Sequence, residues 1–216
     1  MTFIVQAFEI PSGSMENTLL VGDHVFVDRL SAAKAGFMGA LLPYRDIQRG
    51  EIIVFLHPTE PGMFVVKRVI GIPGDRIHLT NGVVYRNGLA LKEPYLLRQG
   101  TPEEYRENFP RGYPVGANAE WPMVMSQHIQ NGELVVPPDS YFGMGDHRDV
   151  SLDSRYWGFI PRGNIVGRPL LIYWSFVTPS DQYERKSISE RVGFFVHVIT
   201  HFFGDTRWSR MFHLVH

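Results

Sequence analysis

The stretch FVVKRVIGIPGDRIHLTNGVVYRNG, residues 64–88, decides the fold class of this chain. It begins with a nearly continuous apolar run of the kind found in buried strands. Asn81-Gly82 and Asn87-Gly88 then favour tight hairpins, because Asn and Gly tolerate the positive φ of a type I′ turn. The stretch therefore predicts a strand followed by a compact antiparallel meander between residues 75 and 92.

Short runs rich in Val, Ile, Phe and Tyr, separated by 21 Gly and 15 Pro, extend this pattern over most of the 216 residues. The length allows one domain with a sizeable core, or one domain with a large insertion. We therefore predict a mainly β fold with few short helices. The predicted strands are 2–10, 24–30, 51–57, 63–72, 76–80, 82–86, 141–144, 164–176 and a last strand at 208–215, with a short apolar helix at 192–203.

The strand pattern is interrupted at residues 93–138, which are rich in Pro, Gly, Glu, Arg and Asn. Such a texture indicates an inserted lobe or a long loop, and we expect the chemistry to lie outside it. The chain then divides into a β core at 8–92 and 139–178, the insertion, and a C-terminal segment at 179–216.

Two apolar segments raise the question of a membrane. The opening residues MTFIVQAF lack the basic region and cleavage site of a signal peptide. Residues 1–7 are either a remnant of a membrane anchor or part of an ordinary first strand. The second segment, at 35–42, either plugs the core or dips into a membrane. The longest apolar stretch, 193–203, is too short to span a bilayer.

The composition excludes several functional classes. The 21 basic and 22 acidic residues give a net charge of -1, so there is no general electrostatic attraction to nucleic acid. The absence of cysteine rules out disulfide scaffolds, thiolate zinc sites and cysteine nucleophiles.

The segment PSGSM, residues 11–15, is the first candidate for chemistry. Two hydroxyls flank a glycine just after an apolar strand, so a serine oxygen can project where the backbone turns sharply. Ser-Gly-Ser is also common in simple turns and helix caps. A nucleophilic serine needs a base, and none of the nine histidines sits in a protease motif.

Lys67 is the candidate base, because it lies inside the apolar run at 64–72. Burial there would disfavour the ammonium, and like-charge repulsion from Arg68 would add to this effect. A neutral amine can accept a serine proton. The alternative is that Lys67 extends to a strand edge and stays solvated.

The segment GDHRDVSLDSRYWG, residues 145–158, packs carboxylates, guanidinium groups and hydroxyls together. It is either a solvated surface loop or a loop made rigid by charge-assisted pairs that orient Ser151. Residues 149–153 also mimic the start of an EF-hand calcium loop. However, Ser154 stands where Gly is needed and Ile160 where Glu is needed, so we expect no metal there.

Taken in order, these segments resemble the characteristic boxes of bacterial type I signal peptidases. The matching residues are PSGSM with Thr18-Leu19 and Gly22-Asp23, then KRVIGIPGD at 67–75, then 145–158. The resemblance implies a fold of coiled antiparallel β-sheets. It also implies a serine endopeptidase that removes signal peptides from exported preproteins, cutting after Ala-x-Ala-like sites.

The same resemblance implies a role for each matched residue. Ser14 would be the nucleophile and Lys67 the general base of a Ser/Lys dyad. The Ser12 hydroxyl and the Ser14 backbone N–H would form the oxyanion hole. The residues implied to line shallow apolar sites for small side chains are Phe8, Ile10, Met15, Leu19, Val65 and Val66.

Supporting roles are implied for three residues of the third box. Ser151 would orient Lys67, while Asp153 and Arg155 would hold the loop. The implied partners are signal peptides and the membrane surface, with no nucleic acid and no cofactor or metal. The implied location is the cytoplasmic membrane, with the catalytic region on its outer, periplasmic or extracellular, face.

The resemblance covers about 8–91 and 141–176, and three residues depart from the family pattern. Asn17 stands where Pro is usual, and His147 and Val150 stand where Asn is common. Two alternatives remain: a self-cleaving repressor with a similar dyad, and a silent β scaffold. The loop at 145–158 is not expected in the first, and Ser14 or Lys67 would be lost in the second.

Overall fold

A computed structural model describes residues 5–29, 45–101, 103–112, 118–179, 182 and 187–216. These residues form thirteen strands and four α-helices, which confirms the mainly β fold class. The strands, β1 to β13 in chain order, are Val5–Glu9, Asp23–Asp28, Ile52–Leu56, Phe64–Gly71, Arg76–Thr80, Val83–Arg86, Leu89–Ala90, Ile129–Gln130, Glu133–Val135, Ser140–Met144, Ile160–Pro161, Ile165–Ser175 and His213–Leu214. The helices, α1 to α4, are Glu104–Glu107, Trp121–Gln127, Ser154–Trp157 and Ile188–Asp205.

The larger sheet is antiparallel and has the order β1-β2-β12-β3-β4-β10-β11, with β13 also paired to β12. Strand β12 joins its two halves: Ile165 and Gly167 pair with β3, whereas residues 168–175 pair with β2. The register shifts between Pro169 and Leu171, where proline has no N–H to donate. Such irregularities bend a long strand, and the sheet curls so that β1 approaches β4.

The second sheet has the order β7-β6-β5-β9-β8 and contains the predicted meander. Asn81 and Gly82 have φ values of 48° and 75°, and Asn87 and Gly88 have values of 54° and 79°. Both pairs adopt the left-handed conformation that a type I′ turn requires, so the hairpin prediction is confirmed.

The segment 93–138 is more integrated than a long loop. Strand β9 pairs with β5 through Leu134 and Ile77. Phe109, Trp121 and Leu134 are buried in one hydrophobic cluster with residues of β4, β5 and β10. The prediction missed this packing because apolar side chains spaced irregularly between Pro and Gly have no periodicity to detect.

The C-terminal segment differs from its prediction in two ways. Helix α4 has 18 residues, so it is longer than the short helix expected at 192–203. The strand predicted at 208–215 is wrong: a 3₁₀ turn forms at Trp208–Arg210, and only β13 is extended. Phe212 has a φ of 60°, which a regular strand cannot accommodate.

Two predicted membrane elements cannot be placed in full. The patch at 35–42 and residues 1–4 lie outside the described residues, while residues 5–9 form an ordinary first strand. Within the described ranges, no helix is both long and apolar enough to cross a bilayer.

Candidate active site

Ser14 lies in a 3₁₀ turn, Gly13–Met15, between β1 and β2. Met15 is fully buried and fixes the turn in the core beside Ile10. The Ser14 carbonyl accepts a hydrogen bond from the His147 backbone N–H at 3.2 Å. The turn is therefore held from both sides, and its serine hydroxyl has a defined position.

Lys67 approaches Ser14 from β4, and its Nζ lies 2.6 Å from Ser14 Oγ. The two residues are 53 positions apart in the chain, so only the curled sheet brings them together. Lys67 pairs with Ile53 of β3, and Gly143 of β10 passes close to its other side. A Cβ at position 143 would stand 3.2 Å from Lys67 Cβ, so glycine allows this close approach.

The Lys67 side chain is 3% exposed, so it is buried and does not extend to solvent at a strand edge. Burial lowers its pKa from 10.5 to about 8. The negative charge of Asp153 raises the pKa, and the positive charge of Arg155 lowers it further. A large fraction of this lysine is therefore neutral in mildly alkaline solution and can accept a proton.

Arg68 does not supply the repulsion expected from the sequence. Its guanidinium makes a fork with Asp146 at 2.9 and 2.8 Å, and Thr18 Oγ1 donates to the same carboxylate at 2.5 Å. The ring of Tyr95 lies 3.9 Å from the Arg68 guanidinium carbon. Adjacent strand residues point to opposite faces, so Arg68 is directed away from the Lys67 amine and is neutralised there.

Asp153 and Arg155 form a fully buried pair behind Lys67. Arg155 Nε and one terminal nitrogen donate to the two Asp153 oxygens at 2.8 Å each. Asp153 also caps α3 and accepts the Gly145 backbone N–H at 3.1 Å. Burial alone would raise the Asp153 pKa, but Arg155, Lys67 and the Gly145 backbone N–H together outweigh it, and the pKa is lowered. The loop at 145–158 is thus built around an ionised pair.

Ser151 lies next to the dyad but is not hydrogen-bonded to Lys67. Its hydroxyl is fully buried and has no hydrogen-bond partner among the described residues. A Cβ at Gly145 would stand 2.3 Å from Ser151 Oγ and 2.4 Å from the Ser14 carbonyl oxygen. Gly145 therefore keeps Ser151 and Ser14 in close proximity, and a role for Ser151 in orienting Lys67 stays a prediction.

The predicted oxyanion hydroxyl is close to the nucleophile. Ser12 precedes the 3₁₀ turn in extended conformation, and its Oγ lies 3.5 Å from Ser14 Oγ. Ser12 makes no capping hydrogen bond to the turn. Its hydroxyl can therefore turn toward an oxygen that develops negative charge beside Ser14.

A cleft of about 1060 Å³ contains the dyad and runs between β1 and the first half of β4. The rings of Phe8 and Phe64 meet across it with centroids 5.1 Å apart. Five predicted substrate-binding residues contribute to its walls: Phe8, Ile10, Met15, Val65 and Val66.

Leu19 is the exception, because it does not line the cleft, and its predicted role in substrate binding stays a prediction. It is fully buried in the hydrophobic cluster under the cleft, where Ile10 and Met15 cover it. Proximity to the PSGSM turn in the sequence does not distinguish a residue that lines the cleft from a residue buried beneath the cleft wall. Leu19 therefore supports the wall without facing the cleft.

The cleft also has walls that the sequence did not indicate. His57 lies edge-on to Trp157 with ring centroids 5.2 Å apart, and its Nδ1 accepts the Glu60 backbone N–H at 3.1 Å. Burial lowers the His57 pKa below its ordinary value of 6.5, which favours the neutral ring at pH 7 and above. Asn118 lines the cleft from the segment 93–138, so that segment is not entirely remote from the site. No local motif marks these positions.

The three departures from the family pattern have separate structural settings. Asn17 has a φ of 85°, which proline cannot adopt, and its amide donates to the Tyr95 carbonyl at 3.0 Å. His147 Nδ1 lies 3.1 Å from a Glu16 carboxylate oxygen. Val150 is exposed and lines the cleft. A side-chain contact thus stabilises the turn after Ser14 without a proline.

Comparison with known proteins identifies the family of this chain. The family model described as signal peptidase, peptidase S26, matches residues 1–174. The signal peptidase I of Pseudomonas fluorescens is 35% identical over 204 residues, covering 82% of this chain and 68% of that protein. That of Leptolyngbya laminosa is 35% identical over 181 residues, covering 80% and 70%. A crystal structure of a signal peptidase I from Enterococcus faecalis is 31% identical, with a TM-score of 0.44 over 57% of this chain and 97% of that chain.

Proposed function

Because the chain belongs to the signal peptidase family S26, a family of serine proteases that remove signal peptides, we propose that Ser14 and Lys67 are its catalytic dyad. The observation that carries this proposal is the 2.6 Å separation of Lys67 Nζ and Ser14 Oγ. A buried amine with a lowered pKa in contact with a serine hydroxyl is the arrangement that general-base activation needs.

The dyad performs acyl transfer in two steps. The neutral Lys67 amine takes the Ser14 proton as Oγ attacks the scissile carbonyl carbon, and the ammonium then protonates the departing amine of the mature protein. A water molecule then gives a proton to Lys67 as its oxygen attacks the acyl carbon. The bond from that carbon to Ser14 Oγ breaks, Oγ takes the proton back from Lys67, and the signal peptide leaves with a new carboxylate. The Ser12 hydroxyl and the Ser14 backbone N–H stabilise the oxyanion in both steps.

The substrate binds in extended conformation between two strand edges. In the described part of the chain β1 pairs only with β2, and β10 pairs with β4 no earlier than Arg68. Residues 64–67 and β1 therefore offer unpaired backbone groups to a peptide added as a strand. Alternate peptide side chains then face the protein, so the first and third residues before the cut meet the cleft wall.

We expect cleavage after a small residue that has another small residue two positions earlier. Ile10, Met15 and Val66 narrow the cleft beside Ser14, so they exclude bulky side chains by steric overlap. Val66→Ala should raise cleavage after a bulkier residue such as Val or Leu by roughly tenfold, the scale of one or two methylene groups. Val83→Ala, an exposed strand residue of β6, is the matched control.

A peptide library varied at these two positions measures the preference. Efficient cleavage by the parent after Phe, Leu or Lys, with no preference for Ala, would contradict the signal-peptide substrate. An unchanged profile for Val66→Ala would remove Val66 from the specificity wall while leaving the dyad unaffected.

The pH dependence of kcat/KM tests whether Lys67 is the general base. Because the pKa of Lys67 is lowered to about 8, the neutral amine predominates above that pH and the ammonium below it. We expect kcat/KM to fall about tenfold per pH unit on the acid side and to level off on the alkaline side. His57→Gln should keep the midpoint of this limb near pH 8, since burial lowers the His57 pKa below its ordinary value of 6.5. A flat profile, measured with chemistry rate-limiting, would argue against Lys67 as the base.

A location at the membrane also follows as a proposal. Signal peptides belong to exported proteins, so the enzyme acts where they emerge. We place the catalytic region at the outer face of the cytoplasmic membrane, in contact with the membrane surface.

A further inference from the structure

The outward face of α4 carries the densest group of exposed apolar side chains in the described part of the molecule. Ten of the 21 large hydrophobic residues that are exposed there lie between Ile188 and Leu214. A soluble surface rarely concentrates apolar residues in this way unless it binds something. We call the following five residues, spaced three or four apart on one face of the helix, the α4 stripe: Ile188, Val192, Phe195, Ile199 and Phe203.

The opposite face of α4 is already occupied. Phe194 and His197 pack on Phe176, with ring centroids 6.3 and 5.9 Å apart. Phe202, seven residues after Phe195, borders the α4 stripe; it is 36% exposed and stacks on Trp174 with ring centroids 6.1 Å apart. These contacts fix the rotation of the helix on the larger sheet. The α4 stripe is exposed along its length, and only Phe195 also lines the cavity between α4 and the sheet.

The apolar surface continues beyond the helix. Trp208 stacks on Phe203 with centroids 6.2 Å apart, and its indole N–H donates to the Phe203 carbonyl at 3.0 Å. Phe212 and Leu214 are exposed just after it. Tryptophan and other aromatic side chains favour the boundary between lipid and water, where an apolar ring can be buried and a polar edge stays wet.

We propose that the α4 stripe and Trp208 dock this face of the protein on a lipid surface, with α4 lying in the plane of the membrane interface. The inference rests on the proposed function, because signal peptidases of this family are membrane-associated. Glu9 connects the two sites: it lines both the active-site cleft and a cavity of about 490 Å³ between α4 and the sheet. Docking here holds the cleft close to the bilayer that carries the apolar part of a signal peptide.

A lipid surface fits the α4 stripe better than a second copy of the chain. From Val192 to Gly204 the sequence has no Asp, Glu, Lys or Arg, so paired helices would lack the flanking charges that set partner and orientation. Nor is the attraction mainly electrostatic, because Arg207 and Arg210 are engaged with the Val21 carbonyl and with Asp23. Burial of apolar area therefore provides most of the binding.

The test measures the fraction of protein that sediments with phosphatidylcholine vesicles, prepared with and without phosphatidylglycerol. A triple variant, Phe195→Ser/Ile199→Ser/Phe203→Ser, should lower vesicle partitioning by more than about tenfold, since three large side chains lose their apolar burial. The control, Leu89→Ser/Met123→Ser, changes residues that are 74% and 71% exposed elsewhere, close to the 81% of Phe203, and should partition like the parent. Trp208 emission should shift to shorter wavelength when vesicles are added to the parent.

Several results would overturn the proposal. Equal partitioning of the triple variant and the parent excludes the α4 stripe as the contact. Binding that requires phosphatidylglycerol and is lost in about 0.5 M NaCl indicates an electrostatic contact elsewhere. A parent dimer without lipid that becomes monomeric in the triple variant assigns the face to a second copy, if vesicle binding is unchanged.

Cleavage of a short soluble peptide separates this inference from the proposed function. The α4 stripe does not line the cleft, so the triple variant should cleave that peptide at the parental rate. A parent that binds vesicles but cleaves no peptide contradicts only the proposed function. A parent that cleaves but shows no stripe-dependent binding contradicts only the lipid contact.

Discussion

Ser14→Ala and Lys67→Met should each lower kcat/KM for peptide cleavage on the order of 10⁴-fold or more, the scale for losing a nucleophile or its base. Methionine matches the length of the lysine stem and needs no solvation, so burial at position 67 favours it over the ammonium. The folded state should therefore persist while activity is lost. Lys67→Arg should fail as well, because a guanidinium does not deprotonate in proteins.

The double variant gives the sharper result. Since Ser14 and Lys67 act as one unit, Ser14→Ala/Lys67→Met should be no less active than either single variant. Lys92→Met and Ser209→Ala change exposed residues of the same types and should retain parental activity. Multiplicative losses in the double variant, or substantial turnover by either single variant, would show that the two residues are not a nucleophile and its base.

The strands were predictable because their signal is local. All eight strands predicted before residue 177 are present, with ends displaced by a few residues. Apolar runs bounded by Gly, Pro and Asn report on the backbone within a few positions, and the two Asn-Gly turns require the φ values that are found. The resemblance then identified Ser14 and Lys67, whose contact across 53 positions no local pattern contains.

The errors arose where packing depends on distant residues. Arg68 was expected to repel Lys67, yet it pairs with Asp146, 78 positions away. Strand alternation already places neighbouring side chains on opposite faces, so that signal was present in the sequence. No local pattern in the sequence shows that Leu19 is buried below the cleft, because its depth is set by the tertiary fold. The same holds for the core residues of 93–138, whose apolar side chains are irregularly spaced.

The buried pair of Asp153 and Arg155 gives the second large expected effect. Arg155→Met leaves the fully buried Asp153 carboxylate without its bidentate partner, and losing one member of a buried ion pair costs about 3–5 kcal/mol of stability. The loop at 145–158 also loses the bond from Arg155 to the Arg148 carbonyl at 3.0 Å. The urea midpoint of unfolding should fall accordingly. Arg76→Met breaks a partly solvated pair with Glu133 at 3.8 Å and should cost no more than about 1 kcal/mol.

Arg155→Met should also shift the pH dependence of kcat/KM, because Arg155 affects the pKa of Lys67. Arg155 lowers the pKa of Lys67 and Asp153 raises it, so removing the guanidinium leaves the carboxylate to stabilise the ammonium. The pKa of Lys67 then rises, and the acid limb of kcat/KM moves to higher pH. Arg155→Lys keeps the positive charge but loses the bidentate contact with Asp153, so it should move the acid limb of kcat/KM less. It also provides a folded variant to measure if Arg155→Met unfolds. A purely structural role would lower stability but leave the limb of both variants near pH 8, and that outcome would separate Arg155 from the control of the base.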